Sequence, residues 1–210
     1  MINQPEPRYR TVYDKFAPDY EKAIGWLERR FLRGLRERAL ARVPPASHLL
    51  EIGAGTGLNF AHYPHGAHGV ASELSGEMLK IAATKPNRPS QVHLLQANAH
   101  ALPFPDDSFE AAFCTLVFCS VPDPLRGLAE IGRVLRPGGT LIMLEHVRPN
   151  GWLGPVLDAV SRLTVPFLDD HFNRRTAAAV AASGFRLECV EEHTRGICNI
   201  IEAKKIRGER

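Results

Sequence analysis

Apolar positions along the chain follow two different spacings, and the change from one to the other predicts where helices give way to strands. From residue 8 to residue 43 the apolar residues recur every three or four positions, which is typical of a helix that packs on one face. Pro18 is predicted to break this segment into a short first helix and a longer second one, and Pro44-Pro45 ends it. From Ser47 onward, short continuous apolar runs alternate with amphipathic segments.

Seven apolar segments are predicted to be strands. In chain order they read HLLEIG, HGVASEL, QVHLLQAN, FEAAFCTLVFCSV, TLIMLEHV, FRLECVEEHT and GICNIIEAKK. Segments with helical character separate most of them, at residues 58–63, 76–84, 123–135 and 176–183. The last two strands are joined by a short turn at Arg195-Gly196 and are expected to pair as a hairpin.

Alternating strands and helices predict an α/β fold. We expect a Rossmann-like sheet of seven mostly parallel strands, with helices on both faces and a C-terminal antiparallel hairpin. Residues 1–45 are expected to form lid helices on a core of residues 46–210, within one structural domain. Ligands of such sheets bind at the carboxyl ends of the strands. That edge brings four loops together, at residues 53–57, 73–75, 97–101 and 116–120.

The stretch LLEIGAGTGLNF follows the first predicted strand and contains three alternating glycines, Gly53, Gly55 and Gly57. Glycine allows positive φ and leaves the backbone bare for a ligand. A G-x-x-x-x-G-K-S/T phosphate loop is excluded, because no Lys-Ser or Lys-Thr follows. The dinucleotide fingerprint G-x-G-x-x-G/A does not match, because the third glycine comes one residue too early and Leu58 stands where the third small residue should be. S-adenosylmethionine (SAM) fits better, since Glu51 suits its cationic end and Glu73, about 20 residues on, suits the ribose hydroxyls.

Four sequence features in order carry a family resemblance: E-x-G-x-G-x-G, then ASELSGEML, then ANAHALPFPDDSFE, then L-R-P-G-G. Together they resemble the class I SAM-dependent methyltransferases over nearly all of residues 10–205. The resemblance implies methyltransferase activity, SAM as cofactor and no metal. It implies the following cofactor contacts: Glu51, Gly53, Gly55 and Gly57 for the methionine end, Glu73 for the ribose, Leu74, Asn98 and Ala99 for the adenine, and Leu116 with Val117 facing the sulfonium. Asn98 departs from the family's usual Asp but still offers an acceptor oxygen.

Three branches of that family look similar. YDKFAPDYEKAIG resembles the lid helix of ubiquinone/menaquinone C-methyltransferases and of bacterial phosphatidylethanolamine N-methyltransferases. The stretch from FCTLVFCSV to LEHVRP, with LDDHFNRRT later, resembles membrane-associated thiol methyltransferase-like proteins. These branches share small or lipid acceptors. We expect a phospholipid amine as the acceptor, with small alkyl thiols or the ring carbon of a quinone precursor as alternatives.

A general base is needed where the acceptor arrives protonated. The candidates are Tyr13, Tyr20, His146, Asp169, Asp170 and His171. Each also has a structural interpretation, as lid packing, strand packing or a helix cap. The apolar segment 150–172 is expected to form the acceptor pocket, and the alternative is a crossover with its own packed helix.

Composition narrows the partners and the compartment. The 210 residues carry a formal net charge of +3, too small to argue for nucleic acid. We predict neither a membrane span nor a secretory signal, and four cysteines without a C-x-x-C pair indicate a reduced, cytoplasmic protein. Residues 26–43 hold six arginines against two glutamates, which indicates a solvated helix face or peripheral contact with an anionic inner membrane face. Competing interpretations are a catalytically silent membrane-binding module and an NAD-dependent oxidoreductase.

Overall fold

The computed structural model describes residues 8–32, 34–168 and 171–206. The strands are β1 (His48–Ile52), β2 (His68–Glu73), β3 (Val92–Gln96), β4 (Phe109–Thr115), β5 (Leu135–His146), β6 (Phe185–His193) and β7 (Cys198–Lys205). The α-helices are α1 (Arg8–Leu27), α2 (Leu35–Leu40), α3 (Gly76–Ala83), α4 (Pro124–Val134), α5 (Leu153–Leu168) and α6 (Thr176–Ala182). Three shorter helical turns cover Glu28–Leu32, Phe60–His62 and Thr194–Gly196.

The seven strands form one sheet in the order β3-β2-β1-β4-β5-β7-β6. The first five strands pair in parallel, and β7 runs antiparallel between β5 and β6. This confirms the predicted fold class, including the C-terminal hairpin. The strand order reverses at β1, which pairs with β2 on one side and β4 on the other. Open α/β sheets bind their ligands at the carboxyl ends of the strands beside such a reversal.

Both faces of the central strands are buried. On one face, Leu128 and Ile131 of α4 join a core cluster with Phe109 and Met143. On the other face, Leu40 of α2 packs in a cluster with strand residues that include Phe113 and Ile142. Two covered faces explain why β4 reads as a continuous apolar run instead of an alternating one.

The predicted break at Pro18 is wrong, because α1 continues through it as one helix of 20 residues. Contacts on either side hold the two halves in line: Asp14 accepts from the Ser75 hydroxyl, and Glu21 pairs with Lys85. Such contacts offset the backbone hydrogen bond that a proline removes. The helical segment is interrupted later instead, at Gly34, whose φ of +73° lies in the left-handed region.

Two further predictions need correction in length. The helix expected over residues 58–63 is only the short 3₁₀ turn Phe60–His62, which ends two residues before Pro64. The strand expected to continue to Val121 stops at Thr115. Leu116 has a φ of +57°, which an extended strand does not allow, so the chain turns there.

The arginine-rich stretch is not a uniformly solvated face. Arg36 is buried, while Arg38 and Arg42 both pair with Glu191 of β6, and Arg42 also reaches Glu202 of β7 at 3.2 Å. These three side chains therefore fasten α2 and the residues after it to the sheet.

The segment 150–172 contains α5, so this stretch crosses between β5 and α6 with a helix of its own. Trp152 is 75% exposed and Val156 is 47% exposed, which leaves apolar surface facing solvent near the start of α5. Among the described residues, no helix is both long enough and apolar enough to cross a membrane.

Candidate functional site

A cavity opens at the carboxyl edge of the sheet, beneath α1. The empty space in it is about 790 Å³ when the open solvent at its mouth is included. Its lining comes from all four of the predicted loops and from α1. Lining residues are Arg10, Tyr13, Tyr20, Ile52, Gly53, Gly55, Ser72, Glu73, Leu74, Ser75, Met78, Ala97, Asn98, Ala99, Thr115, Leu116, Val117, Ser120 and Val121.

The three glycines of the first loop have different functions, although all three have positive φ. A Cβ on Gly53 would lie 2.4 Å from Val117, so Gly53 lets the loops after β1 and β4 touch. A Cβ on Gly55 would meet no protein atom within 4 Å, which leaves bare backbone at the cavity. A Cβ on Gly57 would lie 2.4 Å from the Phe60 ring. Gly57 does not line the cavity, and its absent side chain makes room for Phe60.

Glu51 lies behind the glycine loop and is fully buried. One carboxylate oxygen accepts from Asn59 Nδ2 at 2.5 Å, and the other accepts from the Tyr63 hydroxyl. Burial raises the pKa of Glu51 to about 7, although these hydrogen bonds and the charge of Arg36 lower it. Glu51 is not part of the cavity lining. Its contact with the methionine end stays a prediction. The contacts that the structure shows connect Glu51 to Asn59 and Tyr63, which follow the glycine loop.

Glu73 ends β2 and lines the cavity. Its Oε2 accepts from the Gly55 N–H at 2.9 Å, and its Oε1 accepts from the Ser75 N–H at 2.8 Å. Each carboxylate oxygen keeps a further lone pair, which suits the two hydroxyls of a ribose. Burial raises the pKa of Glu73, while the backbone N–H groups act in the opposite direction. The acid therefore ties the glycine loop to the end of β2 as well as facing the cavity.

The predicted adenine contacts also lie at the cavity. Leu74, Asn98 and Ala99 are all in its lining. The Asn98 side-chain oxygen accepts from the His100 N–H at 2.9 Å, which fixes the orientation of the amide. A carbonyl oxygen has two lone pairs, so the same atom can accept from an adenine amino group.

Helix α1, the predicted lid, turns one face toward the cavity. Arg10, Tyr13 and Tyr20 lie three and seven positions apart, so they share one side of the helix. Arg10 is the charged lining residue that was not predicted from the sequence. Its guanidinium suits a carboxylate such as the one at the methionine end of SAM. The only sequence signal for it was its helical spacing from the two tyrosines.

The loop after β4 is held in place by a second buried acid, Glu145. Leu116, at φ +57°, donates its N–H to the Leu144 oxygen at 2.7 Å. The next two N–H groups, of Val117 and Phe118, donate to Glu145 Oε1 at 3.1 and 3.0 Å. Burial raises the pKa of Glu145. Sequence reasoning did not single out this acid, which fixes the loop that carries Leu116 and Val117 to the cavity.

Only two of the candidate bases lie at the cavity. Tyr13 and Tyr20 line the cavity, whereas His146 is buried and stacks on Phe172 with ring centroids 4.3 Å apart. His171 donates its backbone N–H to the Cys119 oxygen at 3.0 Å. Neither histidine lines the cavity. Asp169 and Asp170 lie outside the described residues.

Segment 150–172 contributes no described side chain to the cavity lining. Its role as the acceptor pocket therefore stays a prediction. The alternative, a crossover with its own packed helix, is borne out only in that α5 is present.

The lining fits SAM by its donor and acceptor chemistry. Glu73 provides two acceptor oxygens, Arg10 provides a cation, Gly55 provides bare backbone, and Leu74 provides an apolar contact for a base. These groups come from α1, from the end of β2 and from the loops after β1 and β2, so the site requires the folded sheet and α1 together.

Comparison with known proteins identifies the same kind of enzyme. A family model described as "Methyltransferase domain" matches residues 50–143. A demethylmenaquinone methyltransferase from Thermus thermophilus is 33% identical over 166 residues, which cover 75% of this chain and 74% of that protein. Another, from Bacillus licheniformis, is 31% identical over 156 residues, covering 71% of this chain and 67% of that protein. A solved SAM-dependent methyltransferase from Thermotoga maritima is 25% identical with a TM-score of 0.71, covering 94% of this chain and all of that one.

Proposed function

This chain belongs to the SAM-dependent methyltransferases, and we propose that it transfers the methyl group to a ring carbon of a demethylmenaquinone-type quinone precursor. The observation that carries the proposal is the 33% identity to a demethylmenaquinone methyltransferase over three quarters of this chain. Quinone C-methylation was an alternative at the level of sequence. The relatives support it better than methylation of a phospholipid amine, which the sequence analysis expected.

The cavity suits a flat aromatic acceptor. Tyr13 and Tyr20 approach from the lid, and Leu116, Val117 and Val121 approach from the loop after β4. Aromatic and branched apolar side chains bind a ring through its faces and edges. A quinol ring between the lid and this loop would have its carbon near the predicted position of the sulfonium.

SAM supplies a methyl group already activated by a sulfonium. The residues of this chain therefore have to align the acceptor and keep water out, which lowers the barrier without covalent participation by the protein. A ring carbon becomes nucleophilic when a ring hydroxyl is deprotonated or donates a strong hydrogen bond. We assign this orienting role to the hydroxyls of Tyr13 and Tyr20, since both line the cavity from α1.

An acceptor panel tests the proposal. Purified full-length protein would be given SAM with a labelled methyl group and one acceptor at a time: demethylmenaquinol in detergent micelles, phosphatidylethanolamine vesicles, or a short alkyl thiol. We expect label in the quinol, and much slower labelling at subsaturating SAM when a Glu73→Ala variant replaces the wild type. Transfer to the lipid amine or the thiol, with none to the quinol, would refute the proposed acceptor.

We also propose that the enzyme contacts a membrane surface to reach an acceptor with a lipid tail. Trp152, just before α5, and Val156, in its first turn, are exposed apolar residues, and Arg162 further along α5 is exposed as well. Aromatic and basic side chains suit an anionic bilayer interface. Co-sedimentation with anionic vesicles should fall for Trp152→Ala but not for Leu125→Ala, an exposed apolar residue on α4. Equal binding by both variants would show that Trp152 does not contact the membrane.

A further inference from the structure

Thr115, the last residue of β4, connects a buried polar network to the cofactor cavity. The residue is 6% exposed and belongs to the cavity lining. Its hydroxyl oxygen accepts from Arg36 Nη1 at 2.5 Å and from Asn59 Nδ2 at 2.9 Å. A threonine hydroxyl has two acceptor lone pairs and one O–H donor. Both acceptor positions are therefore occupied, and only the donor is left.

The network behind Thr115 carries charge. Arg36 reaches it from α2 and is itself buried, and it also donates to Asn59 Oδ1 at 2.8 Å. The Asn59 amide continues to Glu51 Oε1 at 2.5 Å. Hydrogen bonds in such a buried chain polarise one another. A hydroxyl that accepts from a guanidinium becomes a stronger donor, and its preferred partner is an anionic oxygen.

The position of Thr115 in the sheet decides which end of the ligand it meets. Cys114 of β4 is the ladder partner of Ile52 of β1. Thr115 follows Cys114, so it lies beside Gly53 and the start of the glycine loop. Glu73, which suits the ribose, lies at the end of β2 on the far side of β1. Thr115 therefore adjoins the methionine end of the cavity, where the methyl group is transferred.

None of the described residues accepts a hydrogen bond from the Thr115 hydroxyl, and a buried donor without a partner is unfavourable. We propose that Thr115 donates this hydrogen bond to an anionic oxygen of a bound ligand. Two sources carry that chemistry: the carboxylate of SAM and the phenolate oxygen of a quinol acceptor. The first source requires only SAM binding, and the second rests on the proposed function.

Two variants that differ by a single oxygen atom test the proposal. Thr115→Ser keeps the hydroxyl, and Thr115→Ala removes it. SAM and decarboxylated SAM would each be titrated calorimetrically into both variants. If the SAM carboxylate is the partner, the alanine variant should bind SAM about five- to tenfold more weakly than the serine variant. Decarboxylated SAM, which lacks the carboxylate, should bind the two variants alike.

If the acceptor oxygen is the partner, the two variants should bind SAM equally. In that case kcat/KM should fall about tenfold or more in Thr115→Ala only, for whichever acceptor of the panel the wild type methylates. Failure of the wild type to methylate the quinol would count against the proposed function alone, because the calorimetric comparison does not use it.

Equal SAM affinity and equal kcat/KM in the serine and alanine variants would overturn the proposal. If the hydroxyl had a purely structural role, its removal in Thr115→Ala would lower the melting temperature. The loss would then weaken the binding of SAM and of decarboxylated SAM to the same extent. Should the alanine variant fail to fold, Thr115→Val keeps the size of the side chain and is compared with the wild type in the same titrations.

Discussion

Asp14 on the lid helix accepts a hydrogen bond from the hydroxyl of Ser75, the residue that also caps the start of α3. Two turns further along α1, Glu21 pairs with Lys85 at 2.7 Å. Helix α1 is thus fastened to the neighbourhood of Glu73 by polar contacts that water can replace. We propose that these contacts let α1 act as the predicted lid, which opens for exchange of cofactor and product.

Removing the lid contact should weaken cofactor retention without unfolding the protein. In Asp14→Ala the Ser75 hydroxyl loses its acceptor, which costs about 0.5–1.5 kcal/mol in the closed form. We expect SAM to dissociate several-fold faster, as measured by stopped-flow release. Asp19→Ala is the matched control, because Asp19 is exposed on the same helix. Equal dissociation rates in the two variants would rule out Asp14 as a fastening for the lid.

Glu73→Ala should weaken SAM binding by roughly 1–3 kcal/mol, since two ribose hydroxyls lose their charged acceptor. The Gly55 and Ser75 N–H groups lose theirs as well. Isothermal calorimetry measures the change directly. Glu77→Ala provides a control on the adjacent helix, where Glu77 is exposed and pairs with Lys80. If Glu73→Ala binds SAM as tightly as the control variant, Glu73 does not bind the ribose.

A methyl group at Gly55 should exclude the ligand while leaving the fold nearly intact. Gly55 and Gly151 both have positive φ, and a Cβ on either would meet no protein atom within 4 Å. Alanine at either position should cost about 1 kcal/mol of folding free energy through backbone strain. Only Gly55→Ala should also lower SAM affinity, by about tenfold or more, because its methyl lies at the cavity. Similar SAM affinities in Gly55→Ala and Gly151→Ala would contradict this.

The buried acid Glu51 should make stability depend on pH. Its pKa of about 7 in the folded protein is above the ordinary value for glutamate, so the folded state binds the proton more tightly. Its contribution is therefore fully present below about pH 4.5 and is lost as pH rises to about 7, by roughly 3 kcal/mol at most. The wild type should lose free energy of unfolding relative to Glu51→Gln between about pH 5 and about pH 8. Urea unfolding at both pH values measures the difference, and a constant or growing advantage for the wild type would contradict the assignment.

Much of the sheet could be predicted because its signals are local. Continuous apolar runs such as β4 are required when both faces of a strand are buried. The alternation with helices then fixes the parallel order, and the hairpin of β6 and β7 follows from their close spacing. The acid at the end of β2 and the glycines at positions 53 and 55 reach the cavity for the same local reason, since strand ends meet at one edge.

The features that could not be predicted depend on distant partners. Pro18 stays within a helix because contacts to residues near α3 hold both sides of it. Arg36 is buried because Thr115, 79 positions away, accepts from it. Arg42 is paired because Glu202, 160 positions away, lies beside it. No spacing within residues 26–43 contains this information, so charge alone suggested a solvated or membrane-facing helix.

The sequence predicted which loops reach the cavity, but not which residues of those loops face it. Glu51 and Gly57 belong to the predicted loop but lie behind it, because Asn59, Tyr63 and Phe60 fill the space there. A strand-terminal acid has the same sequence signature whether it faces a ligand or a buried amide. Glu145 was missed for that reason, since its partners are backbone N–H groups of another strand's loop.

The position of the transferred methyl group tests the proposed reaction most directly. The wild-type protein would convert demethylmenaquinol with SAM that carries an isotopically labelled methyl group, and nuclear magnetic resonance of the purified product would identify the atom bonded to the label. We predict a methyl group on a ring carbon of the quinone. A label bonded to oxygen, or an unlabelled quinone beside a labelled lipid amine or thiol in a mixed incubation, would contradict C-methylation of a quinone precursor.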